Sequence, residues 1–354
     1  MMTQFLGMLA AIGLTALCWG VYGPVLHESQ GLMDSRLRPF ICVGAAYFVI
    51  AVIVPVILLA RGRDKGNWTL TGVVWSLLAG VCGALGALGV IVALAAGGKP
   101  IYVMPLVFGG APVVNTLLSA WLNKAFGELK APFLAGLLLV ITGAVTVLVF
   151  KPQPPVHDAP AALAALDDSA ATPVATTPDA TAAGRVAAKI ERHAERFLEV
   201  LLGIALTVVC WGAYGPVLHR GQAAMQGSRL RPLLCIGLAY FLIAVVIPIP
   251  LLSSLDSAGA WNLAGLSWGV VGGSLGAIGA LGTVLAFTLG GKPFTVMPVV
   301  FGLAPVINTL TSCVFQGVPL KDVSPFFLAG MLVVGVGAAT VLFFGPRGHA
   351  AKPA

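Results

Sequence analysis

The stretch CWGVYGPVLH at residues 18–27 returns as CWGAYGPVLH at residues 210–219, nine of ten residues identical, and each copy closes an apolar segment. The likeness extends outward in the same order. SRLRPFICVGAAYFVIAVIVP at 35–55 is matched by SRLRPLLCIGLAYFLIAVVIP at 228–248, and GALGALG at 83–89 by GAIGALG at 276–282. GGKP stands at 97–100 and again at 290–293, and MPLVFGGAPVVNT at 104–116 pairs with MPVVFGLAPVINT at 297–309. The chain is two copies of one unit.

Composition identifies the solvent. Of 354 residues, 58% are hydrophobic and 9% charged, against about 25% charged in a soluble domain. Such a chain has too few polar groups to cover a surface in water, so it reads as an integral membrane protein. The net charge of +7 lies in short loops and a linker, where membrane topology accounts for it without nucleic acid. The six cysteines (Cys18, Cys42, Cys82, Cys210, Cys235 and Cys313) all sit in apolar stretches with no Cys-x-x-Cys pair, the pattern of buried thiols. The N-terminal segment lacks a basic n-region and an Ala-x-Ala site, so it reads as a retained span.

A span takes about 20 mostly apolar residues. Five such segments precede residue 151, at 5–26, 39–60, 70–96, 101–122 and 131–150; five follow, at 198–219, 232–252, 263–289, 294–315 and 326–344. Backbone groups in lipid must bond internally, so these are helices. The expectation is an all-α integral membrane fold of ten transmembrane helices, with a first five-helix repeat at 1–150 and a second at 198–345. Between them come a disordered Pro/Ala/Thr-rich linker at 151–184 and a short amphipathic helix at 185–197; a cytoplasmic tail follows at 346–354.

An odd number of spans per copy inverts the second copy, and the loop charges agree. Arg61, Arg63 and Lys65 follow the second segment, whereas its counterpart at 253–259 has no Lys or Arg. Arg36 and Arg38 are offset by Glu28 and Asp34, whereas Arg220, Arg229 and Arg231 meet no acid. The positive-inside rule then puts both termini in the cytoplasm, in a multi-pass protein of a bacterial cytoplasmic membrane.

Ten spans in two inverted halves resemble the drug/metabolite transporter superfamily, with EamA-type and bacterial sugar-uptake members nearest in style. The resemblance covers everything except the linker. It implies a central cavity lined by the first, third and fourth helices of each half, and alternating access.

Candidate site residues come from the repeats. Trp19 and Tyr22, repeated as Trp211 and Tyr214, are three apart and share a helix face. They fit stacking on and hydrogen bonding to a polar solute, or an interfacial aromatic belt. Pro24 and Pro216 stand beside them as hinge candidates, since proline removes a helix hydrogen bond. In the fourth segments Pro105 and Pro112 repeat as Pro298 and Pro305. Paired broken helices are a pointer to a transporter site, and Asn115 and Asn308 follow as substrate contacts. Gly80, Gly83, Gly86 and Gly89, repeated as Gly273, Gly276, Gly279 and Gly282, form a slanted groove for close helix packing. His27 and His219 are candidate proton carriers, and Lys99 and Lys292 in GGKP candidate anion contacts; all four also read as residues at the water edge.

No Asp or Glu is expected inside a span, which removes the usual membrane carboxylate of proton-coupled carriers. Catalytic constellations, phosphate loops and metal clusters are absent from the sequence pattern, so no enzyme activity, cofactor or metal is expected. The expected partners are a small-molecule substrate and the lipid bilayer. The leading reading is a secondary transporter of a small polar, sugar-like metabolite; a membrane sensor, an assembly factor or a lipid flippase on the same fold is the alternative.

Overall fold

A computed structural model describes residues 2–62, 64–122, 124, 126–128, 130–150, 180–256, 258–291, 293–315, 317 and 319–344. Among these there is no strand; the protein is an all-α, multi-pass integral membrane protein. Its helical segments are α1 (Met2–Met33), α2 (Leu37–Ala60), α3 (Leu70–Ala95), α4 (Pro100–Leu122), α5 (Ala131–Val149), α6 (Ala180–Ala224), α7 (Leu230–Leu255), α8 (Leu263–Thr288), α9 (Pro293–Phe315) and α10 (Pro325–Phe344). Eight are long and apolar enough to cross a bilayer; α9 and α10 contribute the shorter apolar helices Val299–Phe315 and Pro325–Val341.

Helix ends follow local chemistry. Thr69 caps α3 by accepting from the Gly72 amide at 3.0 Å, and Asn262 caps α8 through the Gly265 amide at 2.7 Å. The GGKP turns end α3 and α8. Gly97 has φ +100° and Gly290 φ +94°, values that suit glycine. The next amides, Gly98 and Gly291, reach back to Ala93 O and Ala286 O at 2.9 Å, closing a Schellman-type stop. Pro100 and Pro293 then begin α4 and α9, where a missing N–H costs nothing.

Three boundaries differ from expectation. α6 is one continuous helix from Ala180, so residues 180–184 belong to a helix and the amphipathic stretch is its first part. The reason is local: no glycine or proline interrupts residues 185–202, and the stretch is rich in helix formers. Residues 151–179 and 345–354 lie outside the described residues. α1 runs on to Met33, so Glu28 lies within a helix, half-buried. The fourth helices are not broken: α4 is continuous through Pro105 and Pro112, and α9 through Pro298 and Pro305. Pro24 and Pro216 likewise lie inside α1 and α6. Neighbouring helices in a membrane bundle tolerate prolines that would interrupt a helix in water.

The two halves interleave. α1 packs chiefly on α8 and α9, and α6 on α3 and α4; α5 lies along α10. Glycines allow these approaches. A Cβ at Gly80 would lie 2.7 Å from Ala239 Cβ, one at Gly273 2.6 Å from Val43 Cα, and one at Gly143 2.7 Å from the Val334 amide. The glycine groove is thus a packing surface for the opposite half.

α2 and α7 cross at the centre. Each contains a π-helical turn, Val49–Ile53 and Leu242–Val246, next to Pro55 and Pro248. The wider turn keeps the proline ring off the carbonyl one turn earlier. Tyr47 stacks on Tyr240 with ring centroids 3.6 Å apart, and Phe48 meets Phe241 at 4.5 Å. α2 begins beside the end of α7 and ends beside its beginning. At end I, residues 33–38 meet 256–262, with Ala260 N 3.0 Å from Met33 O. At end II, residues 64–69 meet 224–231, with Thr69 Oγ1 3.1 Å from Ala224 O.

Candidate functional site

Six aromatic side chains converge where the halves cross. Trp19 on α1 and Trp211 on α6 lie 6.2 Å apart, with planes 20° from parallel. Tyr214 meets Trp19 edge-on at 6.1 Å, and Tyr22 meets Trp211 edge-on at 6.0 Å. With Tyr47, Tyr240, Gly83 and Gly276 they line an interior cavity of about 20 Å³, room for a single water.

Each wall is anchored on the opposite half. Trp19 Nε1 donates to Gly276 O at 3.4 Å and Trp211 Nε1 to Gly83 O at 3.2 Å. One turn earlier, Thr15 Oγ1 donates to Gly279 O at 3.1 Å and Thr207 Oγ1 to Gly86 O at 3.0 Å. These bonds fix both indoles. The hydroxyls of Tyr22 and Tyr214 are buried and have no hydrogen-bond partner. They are the polar groups the cavity has to offer a solute.

The cavity joins the Trp and Tyr of the opening repeat with Gly83 and Gly276. Its walls come from the first, second and third helices of each half; the expected fourth helices contribute none of the lining residues. The second helices replace them because their crossing carries Tyr47 and Tyr240 to the centre. The sequence reading missed these two tyrosines, although AYF recurs within the longest matched stretch.

Other candidates lie elsewhere. Asn308 Nδ2 donates to Pro100 O at 2.8 Å, and its Oδ1 is buried without a partner. That oxygen faces Gly23, as the unpartnered Asn115 Oδ1 faces Gly215. Both asparagines therefore stand between the fourth helix of one half and the first of the other, outside the aromatic cavity. Pro105 and Pro305 line a separate apolar cleft of about 240 Å³ with Phe108, Phe301 and Met331. His27 and His219 are half-buried on α1 and α6 and do not line the cavity; His219 meets Phe287 edge-on at 5.5 Å. Lys99 is half-buried in its turn, and Lys292 lies outside the described residues.

A second constellation had no place in the sequence reading, which took the arginines as loop charges that set topology. At end I the Asp256 carboxylate accepts from Ser35 Oγ, from the amides of Arg36 (3.3 Å) and Leu37 (3.2 Å), and from Arg38 Nη1 (3.2 Å). At end II the Asp64 carboxylate accepts from Ser228 Oγ, from the amides of Arg229 (3.1 Å) and Leu230 (3.3 Å), and from Arg231 Nη1 (3.1 Å). Each aspartate thus caps a helix of the opposite half, satisfying amides that a helix start leaves open and meeting its positive dipole end. Trp261 lies under the Arg38 guanidinium at 5.8 Å and Trp68 under Arg231 at 5.6 Å. The available signal was faint: RDK at 63–65 and LDS at 255–257 share the aspartate alone.

No protein-family model matches the chain, and no curated protein matches it. A solved structure described only as "Crystal structure of protein" is 18% identical, with 97% of each chain covered and a TM-score of 0.49.

Proposed function

We propose that this protein is a secondary transporter of a small, uncharged polar solute of sugar-like chemistry, built as ten spans in two inverted halves on the plan of the drug/metabolite transporter superfamily. The observation that carries the proposal is the small aromatic cavity with two buried, unpartnered hydroxyls, Tyr22 and Tyr214. An unsatisfied buried hydroxyl costs about 1–3 kcal/mol, and a solute that bonds to both would recover that cost. Ring faces suit the apolar faces of a sugar, and the hydroxyls suit its polar edge. No charged side chain lines the cavity, which favours a neutral solute and exchange or facilitated diffusion over obligatory proton symport.

The exchange of ends between α2 and α7 supports inverted orientation, as do the loop charges. On this reading end II, with both chain termini, faces the cytoplasm, and end I faces the outside. The cavity holds a water-sized volume, so a sugar enters only after the halves part.

A lipid-moving activity is the second reading, favoured by the apolar cleft between α4, α9 and α10. Proteoliposome assays separate the two. Saturable uptake from a panel of radiolabelled neutral sugars, without lipid scrambling, supports the transporter; scrambling of fluorescent lipids without solute uptake supports the flippase.

A further inference from the structure

We propose that Asp256–Ser35–Arg38 and Asp64–Ser228–Arg231 are the two gates of the central cavity, and that only one opens at a time. The proposal rests on the transporter reading above. Both clusters bridge the halves, since each aspartate belongs to the loop after α2 or α7 and its partners begin the opposite helix. They stand at opposite ends of the same crossed helix pair, with the aromatic cavity between them.

The crossing supplies the exclusivity. Gly44 and Gly237 bring α2 and α7 into backbone-close contact: a Cβ at Gly44 would lie 2.8 Å from Ala244 Cβ, and one at Gly237 2.8 Å from the Ala51 carbonyl carbon. The stacked Tyr47 and Tyr240 fill the same crossing. Two rods pinned near the middle cannot tilt apart at both ends at once: parting at one end presses the other together. Opening end I requires Asp256 to leave Ser35, Arg38 and the amides of Arg36 and Leu37, while end II stays capped by Asp64. In the state seen here both clusters are formed. The π-helical turns, one on each rod, supply the residues that Gly44 and Gly237 contact at the crossing and are the places where the rods can change local winding.

The test uses side-specific labelling and needs no solute. A cysteine is placed at Tyr22→Cys in a background whose six native cysteines are replaced, and the protein is reconstituted in sealed, oriented vesicles. A membrane-impermeant maleimide is added on one side or the other. Asp256→Asn, which keeps the shape and removes the charge, is expected to speed labelling about tenfold from the end I side alone, corresponding to about 1.4 kcal/mol of lost closure. Asp64→Asn is expected to do so from the end II side alone. A pair of cysteines at Ser35→Cys and Asp256→Cys, oxidised to a disulfide, should block labelling from the end I side until reduced. This second arm guards against variants that merely fold poorly. Equal acceleration from both sides in either variant, or no acceleration with no effect of the disulfide, overturns the proposal. If the labelled side switches but no solute is carried, the gates stand and the transporter reading falls. If sugar uptake proceeds and labelling ignores the aspartates, the reverse holds.

Discussion

Trp211 seats its indole in the notch that Gly86 leaves on α3, close enough that a Cβ at Gly86 would collide with the ring. Trp19 does the same at Gly279 on α8. Overpacking of this kind costs about 1–3 kcal/mol. Gly86→Ala and Gly279→Ala are therefore expected to lower the midpoint of thermal unfolding in detergent. Gly13 and Gly335 meet nothing within 4 Å of an added Cβ, and alanine there is expected to be neutral or to stabilise, by up to about 1 kcal/mol from helix propensity. Equal effects at all four positions would remove the notch from the account.

The buried and exposed ion pairs should differ in worth. The Asp64 side chain is 1% exposed and that of Arg231 15%, whereas Arg36 and Glu199 are 50% and 44% exposed. Removing one member of a buried pair costs about 3–5 kcal/mol, and an exposed pair contributes about 0–1 kcal/mol. Asp64→Ala should destabilise clearly in a thermal melt, and Arg36→Ala hardly at all. A matching loss in both would show that burial of the Asp64 cluster contributes nothing.

The fold was legible wherever the sequence repeats itself. Nine of ten residues in the opening repeat gave the duplication, apolar runs gave the helices, and GGKP gave the turns that Gly97 and Gly290 make. What could not be read was which helix meets which. Packing of Trp211 on Gly86 joins two halves of the chain, and such contacts leave no periodic mark on either segment. The same holds for Asp64 and Arg231: each sits among loop charges that the positive-inside rule already explains, so neither stood out. Tyr47 was hidden for another reason, since an aromatic in an apolar helix looks like core until its partner Tyr240 is seen across the crossing. The prolines misled because α4 sits among other helices, where Pro105 and Pro112 bend no rule strongly enough to end it.

Tyr22 and Tyr214 separate stability from function. Their hydroxyls are buried without partners, so Tyr22→Phe and Tyr214→Phe are expected to hold or raise the unfolding midpoint, by up to about 1–3 kcal/mol each, while weakening solute uptake. A loss of stability with uptake unchanged would mean that the hydroxyls serve the fold and the solute binds elsewhere.

Topology follows from the ends. Arg61, just past α2, and Ser254, in the last turn of α7, are equivalent positions of the two halves, and each is replaced by cysteine. In intact cells the first is expected to be shielded from an impermeant maleimide and the second labelled. Labelling of both from the same side would contradict the inverted halves.

The most direct measurement of the central claim is counterflow in proteoliposomes with no ion gradient. The sugar that most raises the unfolding midpoint is preloaded inside, unlabelled, and entry of its radiolabelled form is followed. A carrier that presents one cavity to each side in turn returns faster when loaded, so the account predicts transient accumulation of label above equilibrium, lost in the Tyr22→Phe/Tyr214→Phe double variant. Entry no faster than into protein-free liposomes, or linear entry indifferent to the internal sugar, would contradict it.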